Sequence, residues 1–143
     1  MAKTSPTQRS TKYLRDNGFI VARVEQRLHM PASAFPITKD AFGFGDLLAA
    51  HAKLGIIVLV QATGGQGGNL GARIRKIMFT PDIAIAARQW LEAGGQVWTH
   101  GWAKRGPRGK VKRWTLDARQ IIIGPDENLA AIELLHFVAR LAK

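Results

Sequence analysis

Nine residues, Gly55-Ile56-Ile57-Val58-Leu59-Val60-Gln61-Ala62-Thr63, constrain the fold more than any other stretch of the chain. A short β-branched run opening at a glycine reads as a buried strand. This one ends on two polar residues, and alternate strand residues share a face, so Gln61 and Thr63 point the same way. Upstream, Asp46 stands immediately before the apolar segment Leu47-Leu48-Ala49-Ala50. Pairing the two segments antiparallel through the turn at Ala52-Lys53-Leu54-Gly55 brings Asp46 beside Gln61. Three polar side chains then converge on an otherwise apolar sheet. Burying such groups without partners costs roughly 1–3 kcal/mol each, so a ligand is expected there.

The remaining elements follow from local signals. Ser5-Pro6 reads as an N-cap and first helical position, and Asn17-Gly18 as the stop. The helix between them is basic through Arg9, Lys12 and Arg15. Residues 19–27 alternate and are β-rich, which predicts one strand. Residues 28–38, with Pro31 and Pro36, predict a loop. After the glycine-rich segment 64–68 comes a helix over 70–78 carrying Arg73, Arg75 and Lys76. Thr80-Pro81-Asp82 opens another, whose apolar set Ile83, Ala86, Ala87, Trp90 and Leu91 has helical spacing. Residues 96–104 alternate again and pair through a basic turn with a return strand at 111–116, a hairpin of about 96–116. Residues 120–123 are apolar and of either type. Pro125-Asp126-Glu127 predicts a final helix to about residue 142. Its apolar residues Leu129, Ile132, Leu135, Phe137 and Val138 are available for burial.

Composition sets outer limits. A chain of 143 residues suits a single domain, 46% of it hydrophobic. No apolar run is long enough to span a bilayer, and the first residues carry no apolar signal region. A cytosolic location is the default expectation. With no cysteine, disulfides and thiolate metal sites are excluded. Twenty-one Lys and Arg against ten Asp and Glu give a formal charge of +11, which favours a polyanion, above all nucleic acid. The hairpin carries the densest part of that charge. Lys104, Arg105, Arg108, Lys110, Lys112 and Arg113 crowd its turn, interleaved with Trp102 and Trp114. Cations neutralise phosphates and indoles stack on unpaired bases. The glycine-rich segment lacks the Lys-Ser/Thr ending of a P-loop. The four histidines have no metal-ligand spacing.

The order helix, three strands, helix, strand predicts an antiparallel meander joined through a helical crossover to a parallel strand. With Asp46 opening one strand and Gln61-x-Thr63 closing the next, the chain resembles the PD-(D/E)xK nuclease superfamily, and in particular small Holliday junction resolvase-like members. That resemblance covers roughly residues 7–102, with the core at about 7–104. It implies an α/β, restriction-endonuclease-like αβββαβ core, a mixed sheet flanked by helices, with the C-terminal hairpin and helix added. It also implies a Mg²⁺ (or Mn²⁺) site, DNA as partner and a homodimer, for which the apolar face of the C-terminal helix is the expected contact, with core packing as the alternative. Gln61 stands where that family has a carboxylate, and Thr63 where it has Lys; some members use Gln at the first position or move the Lys to a nearby helix. The metal residues implied are Asp46, Gln61 and Asp40, with Glu25 as a further carboxylate. Lys76 or Arg73 would supply the missing cation, and Thr63 would orient water or phosphate. The function expected is metal-dependent cleavage of branched or structured DNA. The alternatives are a nuclease-like fold that binds DNA without cutting it, and an RNA-binding or RNA-processing module.

Overall fold

The computed structural model describes residues 4–28, 37–64 and 69–134. Helix α1 (Pro6–Asp16) begins in a capping box: the Gln8 N–H donates to Ser5 Oγ at 3.1 Å and the Ser5 N–H to Gln8 Oε1 at 2.8 Å. Strand β1 (Ile20–Arg23) follows, then a separate ribbon of β2 (Gln26–Leu28) and β3 (Ile37–Lys39). Strands β4 (Leu47–His51) and β5 (Ile56–Gly64) form the predicted antiparallel pair. Helices α2 (Asn69–Phe79) and α3 (Pro81–Glu92) make the crossover to β6 (Gln96–Arg105), which lies parallel to β5. Strands β7 (Arg113–Ile123) and β8 (Leu129–Glu133) complete a six-stranded mixed sheet of order β1-β4-β5-β6-β7-β8.

Alternation along the strands separates two cores. On one face α1 lays Leu14 over Phe19, Leu47, Ala49, Val58, Val60 and Trp98. On the other, Ile77 of α2 and Ala87 of α3 pack on Phe44, Leu59, Val97 and Ile121. The fold is therefore α/β, a mixed sheet flanked by the three helices found among the described residues.

Three expectations are corrected. The strand expected over 19–27 splits in two. The Val24 N–H donates to the Asp46 carbonyl at 3.0 Å, but β4 begins at Leu47, and the chain before it curls away. Residues 26–28 therefore leave the sheet and pair with 37–39, so 28, 37 and 38 form part of a ribbon where a loop is expected. The return strand is also longer than 111–116. The β-branched run Ile121-Ile122-Ile123 extends it to Ile123, absorbing the segment 120–123. Finally, the expected helix from Pro125 gives way to a turn and β8. Asp126 accepts the Asn128 N–H at 3.1 Å and the Gly124 N–H meets the Asn128 carbonyl at 2.7 Å, closing a hairpin where a helix cap was expected. The rest of that expected helix, 135–142, and the dimer contact assigned to it lie outside the described residues. Among those residues no helix is long and apolar enough to cross a membrane.

Trp98 joins the α1 face to the sheet centre. It is fully buried, meets Phe19 edge-on at 5.6 Å and donates its indole N–H to Gln96 Oε1 at 3.0 Å. Trp98→Ala is expected to cost about 3–5 kcal/mol, read as a lowered urea midpoint with unchanged slope.

Candidate metal centre

Strands β4 and β5 bring Asp46 and Gln61 together on the face covered by α2 and α3. The Asp46 N–H continues the ladder by donating to the Val60 carbonyl at 2.9 Å. Its side chain is 4% exposed, and one oxygen, Oδ2, accepts from the Gln61 amide at 2.9 Å and the Ala62 N–H at 2.8 Å. Gln61 turns its nitrogen toward the carboxylate. Its Oε1 is buried and has no hydrogen-bond partner among the described residues. Such an orphaned acceptor carries the full desolvation cost of its burial.

Two more carboxylates reach this point from outside the pair. Glu25 arrives from the segment where the chain leaves the sheet after β1, and Asp40 from the end of β3. Ligand oxygens of Glu25, Asp40 and Asp46 all lie within 4.8 Å of one another. The loop 40–46 makes this possible. Ala41 and Gly45 bridge in antiparallel fashion, the Ala41 N–H reaching the Gly45 carbonyl at 2.9 Å, and Phe44 plugs the loop into the core. Phe42 and Gly43 both take positive φ, 55° and 84°. At Gly43 a Cβ would also stand 2.9 Å from Ile83 Cγ1, so glycine is required on two counts.

The electrostatics record the crowding. The Asp46 carboxyl is pushed up to about 7, chiefly by burial; the Ala62 N–H opposes this, and the charge and hydrogen bond of Asp40 and the charge of Glu25 add to it. Arg23 pairs with Glu25 and so brings one cation to the cluster.

The other expected participants stand apart. Thr63 is buried one pleat further along the face of Gln61 and makes no hydrogen bond to the carboxylates. Lys76 is half-buried in the last turn of α2, and Arg73 and Arg75 are exposed on the same helix. Among the described residues, none of the three pairs with Glu25, Asp40 or Asp46. The cation that does reach the cluster is Arg23, two residues before Glu25 on a strand end. A basic residue beside an acidic one on the same face was the available signal.

On the hairpin, Lys104, Arg105, Arg108, Lys110, Lys112 and Arg113 are all exposed. Trp102 is only 8% exposed, and its indole N–H donates to Ser10 Oγ at 2.8 Å, so its ring is largely interior. His100 takes the same Ser10 hydroxyl at Nδ1, 2.8 Å away, and complete burial holds its pKa down to about 3.

The three carboxylates are hard oxygen donors of the kind that Mg²⁺ and Mn²⁺ take; Gln61, expected to offer its carbonyl to the metal, instead presents its amide nitrogen to Asp46. The donor chemistry of the three carboxylates fits such an ion.

Two predictions follow the geometry. A carboxyl whose folded pKa is raised stabilises the fold least when ionised. Its contribution is therefore present below about pH 4 and lost as pH rises to about 7. The stability advantage of Asp46→Asn over wild type, measured without metal by urea titration, should grow across that window and level off above it. Added Mn²⁺ should reverse the order at neutral pH. Gly43→Ala should destabilise by about 1–2 kcal/mol, the cost of the left-handed backbone, and weaken Mn²⁺ binding in calorimetry.

Comparison of the chain with protein-family models, with curated proteins and with solved structures yields no match.

Proposed function

We propose that this chain is a metal-dependent DNA endonuclease with a restriction-endonuclease-like core, acting on branched or structured DNA as a dimer. The observation that carries the reading is the meeting of Glu25 and Asp40 with the buried pair Asp46–Gln61. Strand order supports it: α1, the antiparallel β1-β4-β5 and the crossover to parallel β6 follow the order that the resemblance implies, with the β2–β3 ribbon inserted.

In this reading Asp46, Asp40 and Glu25 hold Mg²⁺ or Mn²⁺. The bound ion would polarise a phosphodiester and lower the pKa of an attacking water. Asp46 enters with its carboxyl at about 7 and gives up its proton as the site fills. Gln61 and the Ala62 N–H fix the orientation of that carboxylate. Arg23, paired to Glu25, supplies positive charge at the edge of the cluster. The exposed cations of the β6–β7 hairpin grip the phosphate backbone.

One observation favours a second reading, a nuclease fold that binds DNA without cutting it. No lysine is paired with the three carboxylates among the described residues.

Labelled four-way, duplex and single-stranded DNA, and RNA, incubated with Mg²⁺ or Mn²⁺ separate the readings. The endonuclease reading expects metal-dependent nicking of DNA, strongest on the four-way substrate. Asp46→Ala should abolish it, and Gln61→Ala should lower it by about 10- to 100-fold, the usual effect of losing a ligand-orienting group. Retention of every substrate without a cut in either metal overturns that reading and leaves the binding one.

A further inference from the structure

Helix α1 and the β6–β7 hairpin enclose a groove of about 370 Å³ on the sheet face opposite the carboxylates. That is within the roughly 300–1,000 Å³ of small-ligand sites. The helix contributes Gln8, Arg9, Lys12 and Tyr13, and the hairpin contributes Trp102 and Trp114.

Register explains why two indoles meet here. Trp102 lies opposite Leu116 and Lys104 opposite Trp114, so Trp102, Lys104 and Trp114 share one face of the hairpin. Trp102 forms the floor, tied down through Ser10 and met edge-on by Tyr13 at 6.2 Å. Trp114 stays 44% exposed above it. The Arg9 guanidinium carbon sits over the Trp114 ring at 3.4 Å from its centre, and Lys104 Nζ lies over the same ring at 5.4 Å. The groove's one carboxylate, Asp16, is paired with Lys12 at 2.7 Å. Residues 104–116 contain six Lys and Arg and no acid.

A half-exposed indole that already stacks a planar cation, with further cations around it, suits a planar ring joined to a phosphate. We propose that this groove binds single-stranded DNA, one unpaired base stacking on Trp114 while Arg9 and the hairpin cations hold the flanking phosphates. The choice of DNA rests on the functional reading above; the groove itself is separate from the carboxylate cluster. A duplex offers only backbone and base edges, so the stacking face selects unpaired strand. Arg9 already holds a planar cation against the ring, and a base would take that place as Arg9 turns to phosphate.

The test is fluorescence anisotropy in EDTA with a labelled oligothymidylate, the same oligomer lacking bases, a DNA duplex and oligouridylate. Wild type should prefer oligothymidylate, with quenching of its indole emission on binding. Trp114→Ala should weaken that affinity by roughly 5- to 150-fold, the stacking worth of one base. It should also abolish the preference over the baseless oligomer and leave the salt dependence unchanged. Trp114→Phe should recover most of the loss. Lys112→Ala should instead reduce the salt dependence and keep the preference. Unchanged duplex binding by Trp114→Ala controls for folding. Equal affinity of wild type and Trp114→Ala for oligothymidylate overturns the proposal, as does tighter binding of duplex or of oligouridylate. So does a wild-type dimer that Trp114→Ala dissociates without altering oligonucleotide affinity, which would give the groove to a second copy of the chain. With no divalent metal present, absence of cleavage elsewhere does not bear on this result, and loss of stacking here does not bear on cleavage.

Discussion

A carboxylate removed from water needs donors, and Asp46 finds two on the neighbouring strand, a side-chain amide and a main-chain N–H. Much of the surrounding structure can be understood as the arrangement that keeps them there. Reading across the sheet from Asp46, registered partners on the same face run Gln61, Thr99, Arg119 and Glu133. The adjacent level on that face runs Leu48, Leu59, Val97, Ile121 and Ala131. One face of one sheet thus changes from apolar to polar in a single pleat, at the level of Asp46. The core below supplies rigidity, and the row above carries ionisable groups that are joined in pairs, as Arg119 is to Asp117 at 3.0 Å.

The two faces of the sheet divide the chemistry. Glu25, Asp40 and Asp46 gather on the side of α2 and α3, although the chain as a whole is strongly basic. The side of α1 is aromatic and neutral at its centre. There Trp98 and Trp102 flank His100, a ring that full burial keeps uncharged at ordinary pH. Ser10 serves both His100 and Trp102, so a single helical hydroxyl joins α1 to β6. Cations dominate beyond the end of the sheet, on the projecting hairpin, where water screens their mutual repulsion.

The meeting of Asp46 and Gln61 was legible because it needs only a two-residue period and a turn of known length. Glu25 and Asp40 could be suspected as further carboxylates, yet their convergence depends on the break after β1 and on Phe42 adopting positive φ, for which a phenylalanine gives no sign. Pro125-Asp126-Glu127 misled for a specific reason. The aspartate that caps a helix is chemically the same one that closes an Asx turn, and the β-branched residues before it decide between the two. The contact of Arg9 with Trp114 joins distant parts of the chain and leaves no periodic trace. Lys76 was placed by analogy of position, and helix α2 spends its inward face on Ile77.

The sheet is two antiparallel meanders, β1-β4-β5 and β6-β7-β8, sewn along one parallel seam between β5 and β6. The β4–β5, β6–β7 and β7–β8 pairings are hairpins, whereas β1 reaches β4 only across the β2–β3 ribbon and β5 reaches β6 only across α2 and α3. All three acids belong to the first meander, whereas the walls of the α1–hairpin groove come from both halves. The carboxylates therefore come from one side of the seam yet rest on the helices that cross it, since Phe44 of their loop packs on Ile77 and Ala87. The groove needs helix α1 from one side and the hairpin strands from the other to exist at all.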